Sequence, residues 1–582
     1  MEHNNYTVER NAQIVLALLR AKGIKRVIAS PGTTNIAIVG SMMHDNFFEM
    51  YSAPDERSAA YMACGLAAET GEPVVLTCTG ATASRNYLPG LTEAFYRKLP
   101  VIALTSTLNI DRSGHLQAQF IDRTEQPKDT VKISVQIPSI NTDEDVWGCV
   151  IKVNNALLEL TRHGGGPVHI NLTTRCELYD FSVKELPVVR DIRRFESLNT
   201  APSLPKGKIC VFIGSHKPFT QEETEAIERF CESNNSVVFG DLTSGYYGKY
   251  KVNYAIVASQ HISDDNMAPD VLIHIGEVSG EYYTLGKIKP KEVWRVSPDG
   301  ELRDLFKKLN YIFEMDELSF FTHYVSEETS QMSYYNDCKF KVNEIRSLVP
   351  ELPFSNMWVA SQMTKYLPRH SAVHLGILNT LRSWNFVDFP EGVSSFCNVG
   401  GFGIDGGVST VIGASLADPD KQFFCFIGDL AFFYDMNSLG NRHVGKNLHI
   451  MLVNNGKGTE FRNYTHPGSK FGADADLYIA AGGHYGNKSN QLVRHYAEDL
   501  NFSYLSAANK EEFMNAIPSF VSCGDKSVIF ELFISDEQEN AALKSIIECH
   551  YDSSIDYKNE IKRTVKNLLG ESIIETVKKV IK

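Results

Sequence analysis

The sequence predicts an α/β protein made of three consecutive, doubly wound parallel-sheet domains. Patterns typical of strands and helices alternate from residue 8 to about residue 103, and the alternation returns between residues 209 and 276. The run 422–427 is apolar after its first residue, Gln422, as expected for a parallel strand that is buried on both faces. A chain of 582 residues, 43% of them hydrophobic, is long enough for three domains of ordinary size.

Breaks in this alternation mark the domain boundaries. The segment 185–208 carries three prolines among charged residues and is interpreted as a linker. A less regular stretch, 316–353, separates the second domain from the third. The lysine-rich residues 536–582 have apolar spacing typical of amphipathic helices packed on the body. We therefore predict domains at 1–185, 205–335 and 354–535, followed by a helical C-terminal tail at 536–582.

Composition limits the possible partners and the compartment. A net charge of −13 argues against nucleic acid, because binding to backbone phosphates needs a basic surface. No apolar run reaches membrane-spanning length, and the start of the chain has no signal-peptide pattern, so we expect a cytoplasmic protein without a membrane partner. The 11 cysteines lie mostly in apolar segments, without a Cys-x-x-Cys pair, and are predicted to be reduced core residues.

Polar side chains follow two apolar runs at positions suited to a metal ion. Gly428 and Asp429 end the run 422–427, and Asn455 ends a second run, 448–453. Because the carboxyl ends of parallel strands border the ligand crevice, these oxygens are predicted to lie side by side. Hard oxygen ligands with open positions suit Mg²⁺ and phosphate. We predict Asp429, Asn455 and the main-chain carbonyl of Lys457 as ligands of Mg²⁺.

A Gly-Asp pair followed by an Asn-Asn pair at this spacing resembles the diphosphate-binding motif of the thiamine diphosphate (ThDP) enzymes. Further segments resemble the MenD branch of that family, which makes succinyl-enolpyruvyl-hydroxycyclohexene-carboxylate (SEPHCHC). These segments are residues 30–32, 54–60, 78–83, 86–87, 93–96, 113–117 and 403–406. The resemblance implies pyrimidine-binding, central and diphosphate-binding domains. It also implies ThDP and Mg²⁺ as cofactors and a 2-oxo acid as substrate.

The resemblance assigns roles to individual residues. Glu56, which opens a helical pattern, would hydrogen-bond the aminopyrimidine ring and exchange a proton with it, a role that a raised carboxyl pKa in an apolar pocket would support. An acid in a first helical turn is also common for structural reasons alone. Ile404 would hold the two rings of the cofactor in a bent shape. The predicted cofactor-binding residues are Glu56, Thr79, Gly80, Gly403, Ile404, Gly428, Asp429, Leu430 and Asn455.

The substrate-facing positions depart from the MenD branch, which binds acidic substrates with arginines. Thr33 and Thr34 stand where that branch has Ser-Arg, and Val399 replaces a second arginine, whereas Arg382 keeps the spacing of a third. Threonine and valine cannot reproduce the planar fork with which arginine binds carboxylates. We therefore expect a 2-oxo acid with one carboxylate and a neutral, hydroxylated acceptor such as an aldehyde or a keto sugar.

Three more residues are predicted to border the substrate. His115 and Gln117 are substrate candidates, and Gln117 is also a catalytic candidate by resemblance. Glu460, shortly after Asn455, is either a catalytic acid or a solvated loop residue. The reaction would be decarboxylation, followed by protonation of the product or its transfer to the acceptor. The resemblance also implies a homodimer or homotetramer, with sites where the Glu56 domain of one subunit faces the Asp429 domain of another.

Three alternatives remain open at this point. The chain could be a true SEPHCHC synthase of menaquinone biosynthesis. The segment from Gly401 to Gly406 fits G-x-G-x-x-G after a strand and before a helix, which suggests an NAD(P)-dependent oxidoreductase but leaves Glu56 and the Asp429/Asn455 pair unexplained. A ThDP-fold protein that binds a ligand without catalysis is the third alternative. The retained polar residues argue against it, because they would not help a core unless partnered.

Overall fold

The computed structural model describes residues 5–175, 179–260, 267–485 and 488–550. The strands, in chain order, are β1 Arg26–Ala29, β2 Glu49–Ser52, β3 Val74–Cys78, β4 Val101–Thr107, β5 Ser134–Ile137, β6 Val168–Thr173, β7 Arg193–Phe195, β8 Ile209–Ile213, β9 Ser236–Gly240, β10 Lys251–Val252, β11 Val271–Ile275, β12 Glu292–Val296, β13 Leu309–Phe313, β14 Ala372–Leu375, β15 Ser394–Cys397, β16 Phe423–Gly428, β17 Leu448–Asn454, β18 Ser503–Ala507 and β19 Val528–Phe533.

Helices alternate with these strands, as the sequence predicts. They are α1 Arg10–Ala21, α2 Ile36–Met42, α3 Glu56–Thr70, α4 Thr82–Arg85, α5 Leu88–Tyr96, α6 Asp143–Leu158, α7 Gln221–Asn234, α8 Ala255–Ala258, α9 Tyr282–Lys287, α10 Glu317–His323, α11 Ser333–Leu348, α12 Asn356–Met363, α13 Asn379–Trp384, α14 Gly407–Ser415, α15 Asp429–Asp435, α16 Ala475–Tyr478, α17 Leu492–Asp499, α18 Lys510–Val521 and α19 Asp536–Ile547.

The chain divides into two compact units. The first holds the residues up to Ser197 together with Asp299–Glu314, and the second holds Leu198–Pro298 together with the residues from Met315 onward. The predicted pyrimidine-binding domain, 1–185, falls within the first unit. The second unit holds the predicted diphosphate-binding domain, 354–535, and the predicted central domain, 205–335, except for residues 299–314, which belong to the first unit. The boundary near residue 205 stays a prediction, since the compact units divide the chain in another way.

The first unit is built on a six-stranded parallel sheet of order β2-β1-β3-β4-β6-β5. Helix α3 packs on this sheet and on α5 through small residues, so that a Cβ added at Gly90 would lie 2.4 Å from the Cβ of Ala60. The helix begins at Asp55, whose carboxylate accepts from the backbone N–H groups of Arg57 and Ser58, and it ends at Gly71 with a φ of 68°. This packing fixes the position of Glu56 at the helix start.

The second unit contains two sheets of parallel strands. In the region Leu198–Pro298 the strands pair in the order β10-β9-β8-β11-β12. The later region carries a six-stranded sheet of order β15-β14-β16-β17-β19-β18. Aromatic rings fill its core, with Trp384 stacked on Phe426 at a centroid distance of 4.0 Å. The parallel pairing throughout confirms the predicted α/β fold class.

Two stretches differ from their predictions. The linker 185–208 contains the short strand β7, which pairs with β13 through Arg193 and Tyr311. The stretch 316–353, predicted to be less regular, contains the 16-residue helix α11. Its buried residues Tyr334, Cys338 and Val342 recur every four positions, which is a helical spacing that the sequence carries despite a largely charged surface.

The structure describes only part of the predicted C-terminal tail. Helix α19 begins at Ser535 with a capping box to Gln538, and it buries Leu543 and Ile546 as an amphipathic helix should. The rest of the predicted tail, 551–582, lies outside the described residues. Within the described ranges, none of the helices is both long and apolar enough to cross a membrane.

Candidate functional site

The first half of the candidate site lies at one edge of the sheet that contains β16 and β17. Gly428 pairs in register with Val453, so Asp429 and Asn455 leave neighbouring strands at the same carboxyl edge. The Asp429 carboxylate is buried and accepts backbone N–H bonds from Leu430 at 2.7 Å and from Gly456 at 2.5 Å, with a longer one from Asn455 at 3.3 Å. Burial raises the pKa of Asp429 to about 6.

The two asparagines that follow β17 have different tasks. Asn454 turns away from the edge and donates to the buried carboxylate of Glu531 at 2.6 Å. Asn455 donates its side-chain N–H to Thr459 at 2.7 Å, and its side-chain oxygen accepts a longer bond of 3.4 Å from the Lys457 N–H, which leaves that oxygen capacity for a ligand role. The Lys457 ammonium is held by Asp476 and Asp536, so only its main-chain carbonyl can serve a metal ion here.

The carboxylate of Asp429 has the environment that a metal ion would complete. In the described part of the chain, no basic side chain lies within 4.0 Å of it. A buried carboxylate without a counter-charge is costly, and a bound cation removes that cost. No group of three or more Cys, His, Asp or Glu side chains forms a metal cluster among the described residues. The residues present fit Mg²⁺ held by few protein oxygens together with phosphate oxygens.

Further residues of the predicted site line a small cavity beside this edge. Gly403 and Ile404 line it, together with His374 from β14 and Thr410 from α14. Sequence reasoning missed His374. Its ring stacks on Phe396 at 5.2 Å, burial lowers its pKa to about 4, and its buried Nε2 has no hydrogen-bond partner among the described residues. His374 is therefore a neutral imidazole with one unused nitrogen in the wall of this cavity.

The second half of the candidate site lies in the first unit. Glu56 is half-buried at the start of α3, and its carboxylate accepts from the side-chain amide of Asn86 at 3.1 Å. Thr79 and Gly80 follow β3, and Ala81 adopts φ 58°, a conformation rare for a residue with a side chain. The single chain does not enclose Glu56 in the apolar pocket that its predicted role requires.

Thr34 has a structural task that its prediction as a substrate residue did not include. Its hydroxyl donates to the carbonyl of Ser106 at 2.9 Å, accepts from the Gly80 N–H at 3.0 Å, and lies 2.9 Å from the Thr79 hydroxyl. It therefore anchors the Thr79–Gly80 turn and has little capacity left for a substrate. Thr33, in contrast, is exposed.

A buried arginine behind the same turn was not predicted. Arg123 is 1% exposed and donates to the carbonyl of Ser106 at 2.8 Å and to the side-chain oxygen of Asn171 at 3.0 Å. A longer bond of 3.4 Å reaches the carbonyl of Thr79. Burial lowers its pKa to about 10. Arg123 positions the Thr79 segment, and only the folded structure shows this contact, because 44 residues separate the two.

Arg382 and Glu460 were predicted to act separately on substrate, but the structure pairs them with each other. Arg382 is 4% exposed and forms a salt bridge with Glu460, and its Nε donates to the Tyr282 hydroxyl at 2.6 Å. Burial alone would lower the pKa of Arg382, but Glu460 and Tyr282 raise it above its ordinary value. One nitrogen of the guanidinium, Nη1, is buried without a partner in the described chain.

Position 399, where this chain has valine in place of the second arginine, is closely packed. Val399 is buried, and a Cβ added at Gly280 would lie 2.9 Å from its side chain and 2.3 Å from that of Leu381. The chain thus passes close to Val399 where a longer side chain would need room. His115 and Gln117 are exposed on a loop beside the fully exposed Leu116, and no contact in the described first unit joins them to Glu56.

Comparisons with known proteins decide the family. The N-terminal TPP-binding domain of the thiamine pyrophosphate enzymes matches residues 10–126. The 2-succinyl-5-enolpyruvyl-6-hydroxy-3-cyclohexene-1-carboxylate synthase of Bacteroides fragilis is 32% identical over 93% of this chain and 98% of its own. The enzyme of the same name from Phocaeicola vulgatus is 30% identical over 95% of this chain and 100% of its own, and that of Flavobacterium psychrophilum is 27% identical over 90% and 95%.

The chain belongs to the SEPHCHC synthase family of thiamine diphosphate enzymes. Its cofactors are thiamine diphosphate and a divalent metal ion, which confirms that prediction. Among the activities kept open above, the comparisons favour SEPHCHC synthase over the broader hypothesis of a 2-oxo acid enzyme with an aldehyde or keto-sugar acceptor. Family membership also argues against the nicotinamide hypothesis for Gly401–Gly406.

In this chain, the structure brings together the residues predicted to bind the metal ion. Asp429, Asn455 and Lys457 share one edge of the second unit, with Gly403 and Ile404 in the same unit. Thr79, Gly80 and Glu56 lie in the first unit. The roles of these residues stay predictions.

Proposed function

We propose that this chain is a ThDP- and Mg²⁺-dependent carboligase of the SEPHCHC synthase type, which decarboxylates a 2-oxo acid and joins the remainder to a second substrate. The substrate pair that we place first is 2-oxoglutarate and isochorismate. The proposal is carried by the buried, uncompensated carboxylate of Asp429 beside Asn455, in a chain aligned over nearly its whole length with SEPHCHC synthases.

The residues present supply binding and proton transfer. When bound, the cofactor supplies the electron sink for decarboxylation. Asp429, Asn455 and the Lys457 carbonyl would hold the metal ion, and Glu56 would exchange a proton with the pyrimidine ring, which is the work of a general acid–base. Asn86, which already donates to the Glu56 carboxylate, would orient that group.

A second candidate is the same chemistry with a less acidic substrate pair. It is favoured by the salt bridge between Arg382 and Glu460, because the arginine expected to bind a substrate carboxylate is already paired with a carboxylate of the chain itself. The hydroxyl of Thr34 is engaged inside the chain, and Val399 is packed beneath Gly280. The salt bridge offsets the charge of Arg382, and neither Thr34 nor Val399 supplies a cation to an anionic substrate.

A product assay separates the two candidates. Purified protein saturated with ThDP and Mg²⁺ is given 2-oxoglutarate with isochorismate, and in parallel pyruvate with an aldehyde or a keto sugar. Carbon dioxide release and the ligated product are both recorded, with Asp429→Ala as the inactive control. SEPHCHC formation supports the first candidate, and ligation only with a neutral acceptor supports the second. Cofactor binding without turnover of any substrate would favour the non-catalytic alternative.

A further inference from the structure

A cavity of about 400 Å³ opens in the second unit at a place unrelated to the metal edge. Its walls come from the segment after β9, from β10, from α11 and from the segment before β15. Since β15 begins at Ser394, the cavity lies at the amino-terminal edge of its sheet, whereas Asp429 and Asn455 follow the carboxyl ends of β16 and β17. It is therefore separate from the cofactor site.

The walls of this cavity carry more positive than negative charge. Four of the lining residues are basic and two are acidic. Four of the six are already in ion pairs, because Lys249 pairs with Glu232, Arg346 with Asp388 and Glu391 with Arg369. This leaves Lys251 and Lys339. Neither of these has a carboxylate within 4.0 Å in the part of the chain that the structure describes. The cavity wall therefore carries two ammonium groups that are not in ion pairs.

Lys251 is the buried member of the pair. Its ammonium donates to the carbonyl of Asp241 at 3.1 Å and to the Ser244 hydroxyl at 2.9 Å, and it lies over the ring of Tyr247. An ammonium has three N–H donors, so one is left over. Burial lowers the pKa of Lys251 to about 8, although Asp241 and Asp388 raise it. The fold thus holds a largely desolvated cation here that has no direct ion pair, with Asp241 and Asp388 acting on it only from beyond 4.0 Å.

Two further groups complete the wall. The Nη2 nitrogen of Arg346 is buried without a hydrogen-bond partner among the described residues, while Nη1 donates to Asp388 at 2.5 Å. Lys339 lies at the exposed rim over the ring of Tyr335. Phe389 adds another aromatic surface. The cavity therefore combines donors for an anion with flat apolar surfaces for the rest of a ligand.

We propose that this cavity is a second small-molecule site, which binds a phosphate monoester carrying a flat organic group. The charge agrees, because a phosphate monoester carries between about −1.5 and −2 at neutral pH and the two free ammonium groups supply the opposite charge. Lysine binds phosphate as a point charge and arginine adds directed N–H bonds. The volume falls within the usual range for small-molecule sites, roughly 300–1,000 Å³.

Calorimetry on the holoenzyme tests the proposal. Protein saturated with ThDP and Mg²⁺ is titrated with phenyl phosphate, which supplies both the dianion and a ring, and with inorganic phosphate. We expect binding of phenyl phosphate, weakened about ten-fold or more by Lys251→Met and several-fold by Lys339→Met, since each removes one cation. Lys446→Met, an exposed lysine outside the cavity, is the matched control and should bind as the wild type does.

Proton uptake gives an independent reading of Lys251. An anion beside this ammonium raises its pKa, so binding at pH 8.5 should draw in a proton, which titrations in buffers of different ionisation enthalpy detect. The uptake should vanish in Lys251→Met and persist in Lys339→Met, a rim variant that leaves the core intact. Equal affinity in the wild type and both cavity variants overturns the proposal. Competition by added ThDP also overturns it, because the phosphate would then occupy the cofactor site.

Discussion

The two carboxylates predicted to serve the cofactor, Asp429 and Glu56, have different surroundings. In the second unit Asp429 is buried, and burial raises its pKa to about 6. In the first unit Glu56 remains half-buried, and its carboxylate accepts from the neutral amide of Asn86. A bound cation would therefore stabilise Asp429, whereas Glu56 stays partly accessible.

This difference separates binding from proton transfer. A buried carboxylate that lacks a counter-charge gains much from a metal ion, so we predict that affinity for the metal–diphosphate complex depends on Asp429. A general acid–base needs a group that can change its protonation state, and we predict this role for Glu56. Variants in the two halves should therefore fail in different ways.

Asp429→Ala should give the largest effect, the loss of Mg²⁺-dependent ThDP binding. Removing the buried carboxylate removes the ion that bridges protein and diphosphate, and we expect affinity to fall by about a thousand-fold or more. Calorimetry with and without EDTA measures this, and the exposed Asp420→Ala is the control. Tight ThDP binding by Asp429→Ala, or by the wild type in EDTA, would contradict the assignment.

Glu56→Gln should leave ThDP bound but slow the chemistry. Glutamine keeps the hydrogen bond and loses the exchangeable proton, so exchange of the C2 hydrogen of ThDP should slow by about 10²- to 10⁴-fold. Deuterium exchange followed by NMR measures the rate. Glu69→Gln, at the exposed end of the same helix, should exchange normally. An unchanged rate in Glu56→Gln would remove this residue from the mechanism.

Mixing these two inactive variants tests where the halves meet. If the Glu56 of one subunit serves the Asp429 of another, random exchange between Glu56→Gln and Asp429→Ala subunits should restore about a quarter of the sites in a two-fold dimer. Activity is measured after exchange has been shown by mass spectrometry of tagged subunits. No recovery despite complete exchange would mean that both halves serve the site within one subunit.

Glu460→Gln should change the preference between a dicarboxylate and a monocarboxylate substrate. Neutralising Glu460 frees the Arg382 guanidinium, so the KM for a 2-oxo dicarboxylate should fall by roughly ten-fold relative to that for pyruvate. Steady-state kinetics with both substrates measure this, with the exposed Glu511→Gln as the control. If kcat falls equally for both substrates while KM is unchanged, Glu460 is instead a catalytic acid.

Glu539→Gln should give the smallest effect, on the pH dependence of stability. Glu539 accepts from the Asn356 N–H at 2.8 Å, and burial raises its pKa to about 7. The folded state therefore favours the protonated form. The stability this contributes is present below the unfolded value, about 4.3, and is lost as the pH rises through 7.

Urea unfolding at pH 5.5 and pH 7.5 measures this contribution. The wild type should lose on the order of 1–3 kcal/mol more than Glu539→Gln between these two pH values. Glu69→Gln, in the first unit, should follow the wild type. An equal pH dependence in the wild type and Glu539→Gln would show that the carboxyl does not titrate in this range.

Features that depend on neighbouring residues were predictable from the sequence, and contacts between residues far apart in the chain were not. Strands β16 and β17 with their polar ends were predictable, because continuous apolar runs and a Gly-Asp pair are visible in a short window. The contact of Arg123 with the Thr79 turn, and that of Tyr282 with Arg382, join segments 44 and 100 residues apart, and a single sequence does not pair them. Helix α11 was a different kind of miss, since its spacing was present and was not recognised.

The close approach of Gly280 to Val399 and Leu381 leaves little room for a longer side chain at position 399. An arginine at position 399 would need space that the neighbouring backbone now occupies, and Arg382 would still be held by Glu460. A more cationic site would therefore require coordinated changes in the Gly280 segment, at Val399 and at Glu460. Variants with only one of these changes would carry either a steric clash or an unpaired charge. A designer would have to rebuild the loop before adding the charge.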